Sequence, residues 1–270
     1  MKKTLLLTSA VLLAFAGSAS AQVILYQDSF TGGSPSTPAG LNGSTPTTDN
    51  LDINGNLLLP SGTAATWLAD GAWATNGSSA TVSTSAASNA FLPFTPTLGD
   101  DYTLSATLST SGLDWLALGF TSATSGTNFF YNNPGAPNPA PWMLLGTGST
   151  PGVGVYSSGL TQAASGTAFQ GDTFTFALNT FVNPATPWTY SLTATGPGIT
   201  GTLTLISNGT YATNPTINYV GMGAAVANGT VTDFTLTDTS VAAPEPSTYM
   251  FLGLGGLALL LVGRRTSKLA

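Results

Sequence analysis

The chain reads as all-β: a two-sheet, antiparallel, jelly-roll-type β-sandwich, with an N-terminal signal peptide and a C-terminal hydrophobic helix. Three observations predict the sandwich. Apolar residues in the middle recur with a period of two rather than the helical 3.6. Thr and Ser fill the alternate positions, which suits a wet sheet face because Thr is β-branched yet polar. Asn-Gly pairs and prolines punctuate the segments.

Residues 1–21 carry the three parts of a secretory signal peptide. Lys2 and Lys3 form the charged start, 5–15 is the apolar run, and Ala19-Ser20-Ala21 is the small-residue cleavage site, which leaves Gln22 as the new N-terminus. Residues 22–238 form the sandwich domain. Alternation is cleanest at 102–110, where Tyr102, Leu104, Ala106 and Leu108 share one face, and at 173–179, where Phe174, Phe176 and Leu178 do. It recurs at 188–194, 199–206 and 230–237. Further strands are expected at 23–30, 55–59, 65–69, 80–84, 114–120, 128–131, 142–145, 152–156 and 217–222. A short helix is expected around 158–164. Asn54-Gly55, Asn76-Gly77, Asn208-Gly209 and Asn228-Gly229 read as hairpin turns. The proline-rich stretch 132–141 lacks ladder donors and should project from an end or edge.

Residues 239–247 form a linker holding Pro244-Glu245-Pro246. A hydrophobic helix over 248–263 follows, and 264–270 is a basic tail with Arg264 and Arg265. The apolar run is short for a span of ~20 residues. Its flanking cations would hold that end in the cytoplasm, with the body outside. Pro-Glu-Pro, apolar helix and terminal Arg pair together resemble the PEP-CTERM sorting signal of Gram-negative bacteria. That resemblance covers about the last 27 residues, a stretch that begins near Pro244. It implies recognition by an exosortase-type processing enzyme, membrane attachment through the helix beforehand, and delivery to the cell surface or exopolysaccharide matrix.

All five basic residues lie at the two ends, and the chain has no His and no Cys. The body therefore carries ten Asp and no cation, which excludes nucleic acid as a partner. No disulfide framework is available, and the usual zinc, haem and iron–sulfur ligands are missing. No cofactor is expected. Calcium through Asp and carbonyl oxygens is the one metal chemistry the composition leaves open.

The same inventory weighs against catalysis. Without His there is no Ser-His-Asp triad, and without Lys no phosphate loop. Asp100, Asp101 and Asp114 could in principle serve glycoside chemistry, but turns and strand ends also favour Asp. Binding is the better class. Sugars take aromatic faces with amide partners, and Tyr131, Asn132, Asn133 and Trp142 supply both. Trp67 and Trp73, flanking Asp70, form a second candidate patch.

Several segments resemble the concanavalin A-like, laminin-G-like sandwich superfamily: Leu25-Tyr-Gln-Asp28-Ser-Phe30, Asp101-Tyr-Thr-Leu-Ser-Ala106, Leu116-Ala-Leu-Gly-Phe120, Val220-Gly-Met-Gly223 and Val231-Thr-Asp233-Phe-Thr-Leu236. Hydrolases of that superfamily carry paired Glu, and this body has no Glu before Glu245, so that role does not transfer. The expectation is an exported, non-catalytic, surface- or matrix-associated sandwich that binds polysaccharide. The alternative is a structural, self-associating matrix protein, and an Asp-dependent glycoside hydrolase ranks below both.

Overall fold

The computed structural model describes residues 22–49, 65–83, 88–110, 115–122, 140–146, 152–156, 160–165, 170–225 and 229–239. The expected signal peptide, the expected linker beyond Thr239 and the expected sorting tail lie outside the described residues. So do the strands expected at 55–59 and 128–131, the turns at Asn54 and Asn228, and Asp114. Among the described residues no helix is long and apolar enough to cross a membrane.

In chain order the strands are β1 (Val23–Asp28), β2 (Ala39–Gly40), β3 (Thr48–Asp49), β4 (Leu68–Ala69), β5 (Trp73–Thr75), β6 (Ala80–Val82), β7 (Ser88–Pro93), β8 (Asp101–Ser109) and β9 (Trp115–Thr121). They continue with β10 (Trp142–Gly146), β11 (Gly152–Tyr156), β12 (Leu160–Ser165), β13 (Asp172–Asn179), β14 (Thr189–Thr195), β15 (Leu203–Thr210), β16 (Tyr219–Ala224) and β17 (Thr230–Asp238). One sheet has ten strands in the order β15-β14-β13-β8-β17-β6-β5-β2, with β1 on β17 and β3 on β1. The other has seven, ordered β12-β11-β10-β9-β16-β7-β4. Every pairing is antiparallel.

The period-two reading holds where one face is wet. In β8 and β13 buried and half-buried residues alternate without interruption. Leu104, Leu108, Phe174 and Phe176 are fully buried, each contributing about 2 kcal/mol by leaving water. Opposite them, Leu116, Leu118, Phe120, Met143, Leu145, Val220 and Met222 of the seven-stranded sheet are equally buried. Phe94 closes the seam, with its ring 5.0 Å from Tyr102 and 5.8 Å from Phe120. The Tyr26 hydroxyl donates across the sandwich to the Pro93 carbonyl at 2.6 Å.

Three expectations need correction. Of the segment expected as a helix at 158–164, the described residues 160–164 belong to β12, paired with β11. The strand expected at 199–206 runs over Leu203–Thr210 instead, because residues 196–202 form the turn that returns the chain from β14. Asn208-Gly209 is not a hairpin turn. It sits inside β15, where Asn208 has φ 56° and the ladder to β14 shifts register. Asn76-Gly77 does join β5 to β6, with Gly77 at φ 96° and the Asn76 amide donating to the Ser79 carbonyl.

Candidate functional site

The central strands β7, β9, β10 and β16 of the seven-stranded sheet are buried on both faces, and their outer face concentrates aromatic residues beside glycines. Trp142 of β10 pairs with Gly119 of β9, Gly119 with Gly221 of β16, and Gly221 with Phe91 of β7. The next row runs Leu144, Ala117, Gly223, Asn89. The two central glycines are required. A Cβ on Gly119 would strike Trp142, and one on Gly221 would strike the Ala90 carbonyl and the Phe91 ring. Glycine in a strand interior marks such a close approach. Phe91, Trp115, Ala117, Trp142 and Leu144 form one buried cluster, with Tyr219 and Ala225 packed on it.

Trp142, expected as a ligand-contacting ring, is therefore packed within a strand at 5 % exposure and offers no open face. Tyr131, Asn132 and Asn133 lie outside the described residues. The second expected patch is corrected outright. Trp67 and Trp73 are 0 % and 1 % exposed and belong to the core. The Trp67 indole N–H donates to Asp28 Oδ2 at 2.7 Å, and its ring lies 5.1 Å from Phe234.

The carboxylates sort by location. Asp28 accepts from the Phe30 amide at 2.8 Å and the Thr47 hydroxyl at 3.2 Å as well as from Trp67. Asp70 accepts from the Asn89 amide at 2.7 Å, and Asp172 from the Gly198 amide at 3.2 Å. All three fix backbone. Asp100 and Asp101 gather near Asp238 at one end of the ten-stranded sheet. Burial raises the Asp100 carboxyl above its usual value and Asp238 adds to this, while the Tyr102 hydroxyl pulls it back. Burial and then Asp238 raise Asp101. Burial pushes the Tyr102 phenol up to about 12. Among the described residues no three acidic side chains are grouped to hold a metal ion.

The ten-stranded sheet presents the opposite kind of surface. Its solvent face is a field of short hydroxyls in register. Thr235 pairs with Ser105, Ser105 with Thr175, and Thr175 with Thr193. The flanking row places Thr232, Thr107, Thr173 and Thr195 in line. Thr107 and Thr173 share a hydroxyl–hydroxyl bond of 2.7 Å. Neither row contains a charged residue, but the exposed Asp233 stands in the β17 bulge between them, where its carboxylate accepts from the Thr232 hydroxyl at 3.1 Å, and the exposed Asp101 borders them at the start of β8. Composition named the hydroxyls, but only the pairing of β17, β8, β13 and β14 aligns them. The bare glycine lane was also missed. Its signal was present in Gly119, in Gly221-Met-Gly223 and in Gly152-Val-Gly154, where glycine alternates with buried apolar residues.

No protein-family model and no curated protein matches the chain. Among solved structures, its fold is similar to the VIP36 exoplasmic/lumenal domain in its Ca2+/Man2-bound form (TM-score 0.48, 11% identity, 71% of this chain and 88% of that chain). It is similar to a legume lectin-like domain from Entamoeba histolytica (TM-score 0.41, 11% identity, 63% of this chain and 87% of that one). It is also similar to the metal-free Emp46p carbohydrate recognition domain (TM-score 0.44, 13% identity, 63% and 87%). What is similar is the arrangement of two antiparallel sheets.

Proposed function

We propose that this chain is an exported, non-catalytic β-sandwich that works at the cell surface or in the exopolysaccharide matrix by contact with carbohydrate. An exosortase-type enzyme processes it at Pro244-Glu245-Pro246, after the helix over 248–263 has held it at the inner membrane. The observation that carries the reading is the pair of aligned hydroxyl rows on β17, β8, β13 and β14. Solvent faces are ordinarily about 25–35% charged, for solubility. Two rows with no charged member favour a hydroxylated partner, and the exposed Asp101 and Asp233 beside them disfavour an anionic one. The paired targeting segments supply the address, and Asp28, Asp70 and Asp172 are committed to bonds within the fold.

Mass spectrometry of the mature protein tests the processing, and a glycan array of the same material, with and without calcium, tests the binding. The expected N-terminus is Gln22 and the expected C-terminus lies within 243–246. An intact Met1 would refute export, an intact Ala270 would refute removal of the tail, and an array without hits would remove the carbohydrate contact. Edge-to-edge self-assembly is disfavoured by the two register shifts in the ladder of the edge strand β15.

A further inference from the structure

We propose that the hydroxyl face of the ten-stranded sheet is the contact surface, and that it takes an extended, uncharged β-linked polysaccharide laid across the strands. This rests on the carbohydrate reading above and adds the face, the direction and the charge of the ligand. Thr235, Ser105, Thr175 and Thr193 stand on four neighbouring strands in one row. Neighbouring strands lie ~4.8 Å apart, so the row spans about 14 Å. An extended chain of β-linked hexopyranoses advances by nearly one strand spacing per ring. A chain crossing the strands at right angles therefore sets one sugar over each hydroxyl, and it can follow the twist of the sheet as it goes.

The side chains suit this task. All four are half-buried. The hydroxyls of Ser105, Thr175 and Thr193 have no hydrogen-bond partner among the described residues, so they remain for a ligand. Three of the four are Thr, whose branched Cβ limits χ1, so the hydroxyls lose little freedom on binding. The methyl groups meet the C–H faces of the rings. Each hydroxyl bond nets only about 1 kcal/mol, so binding needs several in register, which the row provides. Charge selects the class. Residues 22–243 hold ten Asp and no Lys, Arg or His, so uronate and sulfate chains are repelled.

The test is affinity electrophoresis of the full chain in gels holding konjac glucomannan or alginate, with melting curves to verify folding. Glucomannan should retard the wild type and alginate should not. Thr175→Lys and Thr193→Lys each place a long cationic side chain in the row and should weaken glucomannan binding about tenfold, the equivalent of one or two hydroxyl bonds. Val182→Lys, at a residue 77 % exposed outside the row, should behave as wild type. If Thr175→Lys unfolds, Thr193→Lys decides. Wild-type retardation that both row variants retain overturns the assignment of this face and leaves the carbohydrate reading standing. Retardation by alginate instead overturns the uncharged ligand. Retardation by neither polymer, together with an empty glycan array, overturns both readings.

Discussion

Asp28 and Trp67, 39 positions apart, are joined by the indole N–H of Trp67 donating to Asp28 Oδ2 at 2.7 Å inside the core. The same carboxylate holds the Phe30 amide, which lets Phe30 adopt φ 53° and turn its fully buried ring to 6.1 Å from Trp67. One side chain thus ends β1, satisfies a buried indole and seats two core aromatics. Asp28→Ala would strand the indole and the amide together. Each buried donor left unmade costs about 1–3 kcal/mol. The expected loss in urea unfolding is about 3 kcal/mol or more, with a red shift of Trp fluorescence. Asp28→Asn keeps one acceptor and should lose less.

Gly221 gives a second stability prediction. A Cβ there meets the Ala90 carbonyl of the paired strand, which cannot move without breaking the ladder. Gly221→Ala should therefore cost about 1–3 kcal/mol, the range for overpacking. Gly40→Ala, with nothing within 4 Å, should stay within about 0.5 kcal/mol of wild type. Equal losses at the two positions would mean that the close approach on the glycine lane does not matter.

The sandwich was legible wherever one sheet face is wet. In Thr103, Ser105 and Thr107 against Leu104, Ala106 and Leu108, water and core impose opposite chemistry on neighbours, and the pattern survives in the sequence. It vanishes where both faces are dry. In β7 five consecutive residues from Ser88 to Leu92 are buried, so no alternation announced that strand. The expected helix failed because Leu160, Ala163 and Ala164 imitate helical spacing over one turn, whereas pairing with β11 fixes the segment as a strand. The strand at 142–145 was legible, but Trp142 was read as a ligand-contacting ring because the proline-rich stretch precedes it, whereas its pairing with Gly119 packs the ring within the ladder. Of the candidate ligand row, the hydroxyls were visible but their alignment was not, since register between distant strands is written in no local stretch.

Asp100 and Asp101 set a pH dependence. Their ordinary value is 3.8, and burial followed by the nearby Asp238 raises both in the folded state. A raised carboxyl disfavours folding when ionised. The stability it contributes is full below the ordinary value and is lost as pH rises through the folded one. No cation in 22–243 offsets this. Asp100→Asn cannot ionise, so it should melt above wild type at about pH 7, with the gap closing as pH falls to about 3 and both carboxyls protonate. A gap that is constant with pH, or that widens in acid, would contradict the assignment. Thermal melts across that range measure it.

The edge of the ten-stranded sheet provides the last prediction. β15 is its terminal strand, and it has no Lys or Pro to discourage pairing. Its protection is geometric. Against β14 the register slips between Tyr190 and Leu192 and again between Leu192 and Thr193. At the first slip Ser207 and Asn208 together oppose Ser191, with Asn208 at φ 56°. Such bulges twist an edge away from a flat partner. Deleting Asn208 would let Gly209, Ser207 and Ile206 face Tyr190, Ser191 and Leu192 in unbroken order. The strand would become straighter and its outer groups better aligned for a second copy. Light scattering should then show the deletion variant growing in mass with concentration while the wild type does not, both remaining folded by melting curve. A deletion variant as monomeric as the wild type would mean that something other than this bulge keeps the edge closed.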